Sequence, residues 1–329
     1  LGNYTKLLFA SLFAVAIIII YAISQSGSPS VQVTDSLDVY PDRQLDENDS
    51  VPNMTLAIIY PFANPFYEMI TTQIEQTVQS QSIHLIVKSP DELNSDQQIR
   101  MLESMIKQKV DGIAISPIDP IALVPHINKA VEQGIPVVCF EADVPGSKRL
   151  SFIGADPYQE GILMGEMIDD RLSDTGMIMV EGGLNASLHQ QRRLDGMLDY
   201  LKSNTTIKMI ELRYHEGMKA QALADLEEMI SSHPHFNILV NMDLISTSAA
   251  SLVWKAKGLS RMSVAFGMSP DAIEALQNGQ LTTIISENES KWGESIVTQL
   301  VNAANGMPVT SWLDTGFQEV TVGDLEEQL

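Results

Sequence analysis

The chain has 329 residues, 44% of them hydrophobic, with 42 acidic against 20 basic side chains and a formal net charge of −22. That length supports one large domain or two of medium size, each with its own core, and a surface this negative repels phosphate backbones, which excludes nucleic acid as a partner. The single cysteine, Cys139, leaves no internal disulfide and no cysteine zinc site, and reads as a core residue on a strand.

In chain order, the first feature is an uncharged apolar run over residues 7–23. It corresponds to about 26 Å of helix at about 1.5 Å per residue, enough to cross a bilayer. Lys6 precedes it, and Asp35, Asp38 and Asp42 follow, a bias that puts the N-terminus inside and the body outside. Residues 1–24 therefore read as a membrane anchor or, with Ala22-Ile23-Ser24 as cleavage site, as a secretory signal. Residues 25–53 are acidic, contain Pro and Ser and lack periodicity, as in a flexible stalk.

From residue 54, short β-rich runs alternate with amphipathic stretches. The pattern predicts strands at 56–60, 84–87, 112–116, 136–140, 177–180, 208–212, 238–241, 263–266 and 282–285. Helices are predicted at 65–80, 95–108, 120–133, 158–172, 188–202, 219–232, 247–257, 270–278 and 290–305. Gly134-Ile135-Pro136 ends one helix and starts the next strand. Pro270 opens a helix in its first turn. Nearly continuous apolar strands joined by helices mean parallel sheets covered on both faces. So many βα units exceed one compact sheet, and the expected fold is α/β with two doubly wound lobes.

Parallel sheets bind ligands at the carboxyl ends of their strands. After the first strand comes Asn64-Pro65-Phe66-Tyr67, without the glycines a dinucleotide pyrophosphate needs. Its rings suit the C–H faces of a sugar while the amide reads hydroxyls; equally, they could cap the core. Ser116 follows the third strand, and Asp119 precedes Pro120 as a helix N-cap would. Glu141 and Asp143 follow the fourth. Arg192 and Arg193 sit early in a helix, against the macrodipole preference, so one of them is a candidate to aim at a ligand or an acid. Asn241 and Asp243, then Glu287 and Asn288, follow later strands.

Catalytic sets are missing. There is no Gly-x-Ser-x-Gly, His-Glu-x-x-His, phosphate-binding loop or EF-hand loop. His233-Pro234-His235 has no third ligand nearby in sequence. Nothing singles out Glu141 and Glu287 as a glycosidase acid and nucleophile. The polar set reads as a binding list, with no cofactor and no metal.

The segments LAIIYPFANPFYEMI (56–70), VDGIAISP through GEMI (110–168), SSHPHFNILVNMD (231–243), SPDAIEALQNGQLTTIISENESKWGESIV (269–297) and NGMPV (305–309) resemble the periplasmic sugar-binding proteins of the ribose-binding type, the soluble receptors of ABC importers. The resemblance implies a type I periplasmic binding protein fold. Its lobes would be 54–155 plus 288–316 and 156–287 plus 317–329, joined by three hinge strands near residues 155–156, 287–288 and 316. It implies a ligand-binding set of Asn64, Phe66, Tyr67, Ser116, Glu141, Asp143, Arg193, Asn241, Asp243 and Glu287, and no enzymatic step. Departures are specific. Ser116 and Glu287 stand where the family has amides, Glu141 where it usually has Asp, Ala142 where the ribose proteins have arginine, and Gly267 where an Asp binds two hydroxyls. The expected function is an extracytoplasmic, monomeric-bodied receptor that passes a monosaccharide-like ligand to an ABC permease. The alternative is a membrane-anchored sugar sensor working with a histidine kinase.

Overall fold

The computed structural model describes residues 54–326. The expectations of an anchor at 1–24 and a stalk at 25–53 lie outside the described residues. Among the described residues no helix is long and apolar enough to cross a membrane.

The first half builds β1 (Met54–Ile59), α1 (Pro65–Val78), β2 (Ile83–Lys88), α2 (Ser95–Gln108), β3 (Gly112–Ile115), α3 (Pro120–Glu132), β4 (Val137–Phe140) and β5 (Ser151–Ile153). The second half continues with α4 (Pro157–Leu172), β6 (Met177–Gly182), α5 (Leu188–Asn204), β7 (Lys208–Tyr214), α6 (Lys219–Ser232), β8 (Ile238–Asn241) and α7 (Leu244–Lys257). Then come β9 (Met262–Phe266), α8 (Pro270–Gln277), β10 (Thr283–Ser286), α9 (Trp292–Ala304), β11 (Trp312–Leu313), β12 (Gln318–Val320) and α10 (Val322–Glu326).

The strands form two sheets, ordered β11-β5-β4-β3-β1-β2 and β12-β10-β9-β8-β6-β7. Within each, the first strand of the lobe lies between its second and third, the switch point of a doubly wound fold. All pairings are parallel except β10 with β12. Each sheet buries both faces, which is why its strands read as continuous apolar runs. In the first sheet, Ala57, Ile59, Ile113, Ile115 and Cys139 face one cluster, and Leu56, Ile58, Ala114 and Val138 face the other. Desolvation pushes the Cys139 thiol up to about 12, so it remains a packed thiol.

The chain passes between sheets three times. It leaves β5 for α4, leaves β10 for α9, which packs Trp292, Ile296 and Leu300 on the first lobe, and leaves β11 for β12. The three expected crossings between lobes are thus present.

Helix starts follow local chemistry. Asn64, Asn94, Asp119, Asp156, Ser187, Asp243 and Ser269 each accept a backbone N–H in the first turn of the helix they precede. Asp243 and Ser246 form a reciprocal capping box, so α7 begins at Leu244, ahead of the predicted 247. One helix pair is unusually close. A Cβ at Gly161 on α4 would lie 2.0 Å from the Arg193 carbonyl oxygen, and one at Gly196 on α5 would lie 2.0 Å from the Tyr158 carbonyl oxygen. Only glycine allows this backbone-to-backbone contact.

Candidate functional site

The carboxyl ends of both sheets meet at one cavity of about 110 Å3. Its first wall comes from the segments after β1, β3 and β4: Phe62, Phe66, Tyr67, Ser116, Ile118, Glu141 and Ala142. The second comes from the segments after β6, β8, β9 and β10: His189, Gln190, Arg193, Asp243, Leu244, Phe266, Gly267 and Glu287. The lobes touch across it, for Leu244 packs with the apolar cluster of the first lobe and Gly217 lies against Leu93.

On the first wall, Phe66 and Tyr67 are buried at the start of α1. Tyr67 stacks on Tyr60 with centroids 4.9 Å apart, and Phe66 meets Trp292 edge-on. The Tyr67 hydroxyl donates to both carboxylate oxygens of Glu141, at 3.0 and 2.9 Å, and Ser116 Oγ donates to Glu141 Oε2 at 2.6 Å. Glu141 holds φ of +64°, a left-handed conformation costing a non-glycine residue about 1–2 kcal/mol. The strain places its carboxylate between the two hydroxyls. Desolvation raises the Glu141 carboxyl above its ordinary value, against the lowering effect of the Ser116 and Tyr67 hydrogen bonds.

The second wall is built on an ion cluster. Arg193 is 4% exposed and Glu160, behind it on α4, is fully buried. Arg193 Nη2 and Nε donate to Glu160 Oε2 at 2.6 and 3.0 Å, and the guanidinium carbon lies 3.6 Å from the centroid of the Phe266 ring. Nη2 also donates to His189 Nε2 at 2.7 Å. Glu287 Oε1 sits 3.6 Å from Arg193 Nη2 and has no hydrogen-bond partner. Burial, then the charge of Glu160, push the Glu287 carboxyl well above its ordinary value, with Arg193 opposing. Desolvation and Arg193 hold His189 well below the usual imidazole value, so it accepts as a neutral ring. Burial works against the charged form of Asp243, yet hydrogen bonds from His215 and Ser246 together outweigh it and hold that carboxyl low.

Glu160, His189 and Glu287 bring their ligating atoms within 4.8 Å of one another, the spacing of a metal site. The Arg193 guanidinium touches all three and supplies the positive charge a metal would bring. Deeper in the second lobe, Glu181 is fully buried with neither carboxyl oxygen hydrogen-bonded. Burial, then Asp243 and Asp225, push it up to about 9.

The structure brings Phe66, Tyr67, Ser116, Glu141, Arg193, Asp243 and Glu287 together around the cavity. It places three other predicted residues elsewhere. Asn64 caps α1 through Phe66 N, Asp143 pairs with Arg149 at 2.5 Å, and Asn241 is buried, donating to Ser263 Oγ and the Val264 carbonyl oxygen. Of the two early arginines, Arg193 aims at an acid and Arg192 lies over the Tyr158 ring. Glu160, His189 and Phe266 were not foreseen at the site. The Glu160-Gly161 step inside a predicted helix was the available signal, since an interior glycine marks a close approach.

Comparison with known proteins bears on the fold and the family. The chain is 28% identical over 194 residues to a D-ribose/D-allose-binding protein of Pseudomonas aeruginosa, covering 57% of this chain and 60% of that protein. It is 21% identical over 258 residues to the D-allose-binding periplasmic protein of Escherichia coli, covering 75% and 83%. An ABC transporter solute-binding protein from Burkholderia graminis, solved in complex with D-arabinose, superposes with a TM-score of 0.79 at 22% identity, covering 84% of this chain and 98% of that one; this likeness speaks to the fold. The model of the periplasmic binding protein domain family matches residues 57–308, and the chain belongs to that family.

Proposed function

We propose that the chain is an extracytoplasmic receptor that binds a monosaccharide-like ligand in the interlobe cavity and delivers it to an ABC sugar importer. The observation that carries this reading is the cavity itself, where flat rings (Phe66, Tyr67, Phe266) and hydrogen-bonding groups (Ser116, Glu141, Gln190, Arg193) converge from both sheets. Rings cover the apolar faces of a pyranose or furanose and the polar groups read its hydroxyls. The relatives with ribose or allose in their names support the same class. Binding, without bond-breaking, is the role of the family.

The proposed contacts are Phe66, Tyr67, Ser116, Glu141, Arg193, Asp243 and Glu287. Asn64, Asp143 and Asn241 support them from behind as cap, ion pair and sheet hydrogen bond. The lobes, 54–155 plus 288–316 and 156–287 plus 317–329, open and close about the three crossings.

The test is ligand-induced stabilisation of the full chain across a panel of pentoses and hexoses, with small-angle scattering for lobe closure. Saturating a ligand at about 100 times its Kd adds about 2.7 kcal/mol of stability, easily read as a melting shift. A panel that gives neither a shift nor a change in dimensions sinks the reading. Co-purification with a sensor kinase instead of a permease would redirect the partner and leave the ligand class standing.

A further inference from the structure

We propose that the ligand carries a protonated amine, as an amino sugar or a ring-imino sugar does, and that Glu287 receives it. This rests on the carbohydrate reading above and narrows it to a charged subclass.

The argument is a balance of charge around the cavity. Three carboxyl groups line it, on Glu141, Asp243 and Glu287, and Arg193 is the one arginine or lysine among its lining residues. That guanidinium is already engaged. Glu160 holds Nε and Nη2 from behind, Nη1 donates to the Met242 carbonyl oxygen at 3.4 Å, and Phe266 covers a face. Its single charge is shared between Glu160 behind it and Glu287, 3.6 Å away on the cavity side.

The three lining carboxyls differ in what they lack. Glu141 accepts from Tyr67 on both oxygens and from Ser116. Asp243 accepts from His215 at 3.1–3.2 Å and from the backbone and hydroxyl of Ser246. Glu287 is 5% exposed; its Oε1 lies 3.6 Å from Arg193 Nη2 and has no hydrogen-bond donor except a proton shared with the neighbouring Glu160 carboxyl. A buried carboxylate oxygen without a donor is strongly unfavourable. An ammonium group supplies donors and a compensating charge together; a sugar hydroxyl supplies only a donor.

Glu287 sits among Glu160 from α4, His189 and Arg193 from α5, and Glu289 two residues on, with Glu141 and Asp243 also lining the cavity. Negative groups outnumber positive ones there, and burial with the charge of Glu160 favours the protonated form of the Glu287 carboxyl. On this proposal an arriving ammonium takes over the electrostatic role of a proton held between Glu160 and Glu287, and that proton leaves to solvent.

The experiment uses the full chain and matched ligands: D-galactose, D-galactosamine and N-acetyl-D-galactosamine; the corresponding D-glucose set; and D-ribose beside 1,4-dideoxy-1,4-imino-D-ribitol. Calorimetry is run in two buffers of different ionisation enthalpy. The expected result is a set in which the amine binds about tenfold or more tightly than both its neutral parent and its acetylated form, with a proton released on binding. Glu287→Gln, shown to be folded by its melting curve, removes that preference. Neutral parents that bind as tightly as their amines, or a preference that survives Glu287→Gln, overturn the proposal and leave the carbohydrate reading intact. No binding by any member overturns both.

Discussion

The two walls of the cleft solve the same problem, holding buried carboxylates, in opposite ways. The first wall satisfies Glu141 with neutral hydroxyls from Tyr67 and Ser116, and the circuit is complete before any ligand arrives. The second sets Glu160 and Glu287 against one guanidinium and leaves Oε1 of each without a hydrogen bond. A satisfied wall gives shape; an unsatisfied wall gives demand, because its missing partners must come from a proton or a ligand. Selectivity should therefore reside on the second wall and rigidity on the first.

Three substitutions test this contrast. The largest effect is expected from Arg193→Ala, which strands two buried carboxylates and should lower unfolding free energy by about 3–5 kcal/mol in urea titrations. A loss under about 1 kcal/mol would mean that the cluster is solvated and the contrast is false. Next is Glu181→Gln, deeper in the same lobe. The folded protein holds this carboxyl at about 9 against an ordinary 4.5. The raised value means that the stability it permits is fully present below about pH 4.5 and is lost as pH rises through about 9. The amide should therefore stabilise the protein by on the order of 2–4 kcal/mol near pH 7.5 and by almost nothing near pH 4.5. A pH-independent difference would place the surplus charge elsewhere. The smallest effect belongs to the first wall. Tyr67→Phe removes one donor from Glu141 and should cost about 1–2 kcal/mol, while Ser116 continues to hold Oε2.

Much of this architecture was readable in advance. The βα rhythm located the long elements because strands buried on both faces write continuous apolar runs and helix caps write Asn, Asp, Ser or Pro at fixed places. β5, β11, β12 and α10 were missed, being only 3, 2, 3 and 5 residues long, too short to carry a period. The same economy blurred the site. An Asn or Asp after a strand can cap a helix or face a cavity, and Asn64 and Asp243 both cap while only Asp243 also lines it. Glu160 escaped notice because it follows β5, a strand too short to be predicted, and because its role depends on α4 meeting α5.

That meeting has a consequence for how such a binding protein could be reshaped. Variation at Leu184, which follows β6 on the second wall of the cavity lining, would act on a molecule held there. A single methyl at Gly161 or Gly196 would act as a wedge, since the space beside each is already filled by the other helix's backbone. It would tilt the two axes and carry the guanidinium off its aromatic seat. Positions that would tune a held molecule and positions that hold the scaffold are thus separate, and a library that spares the crossing can explore the former without eroding the latter.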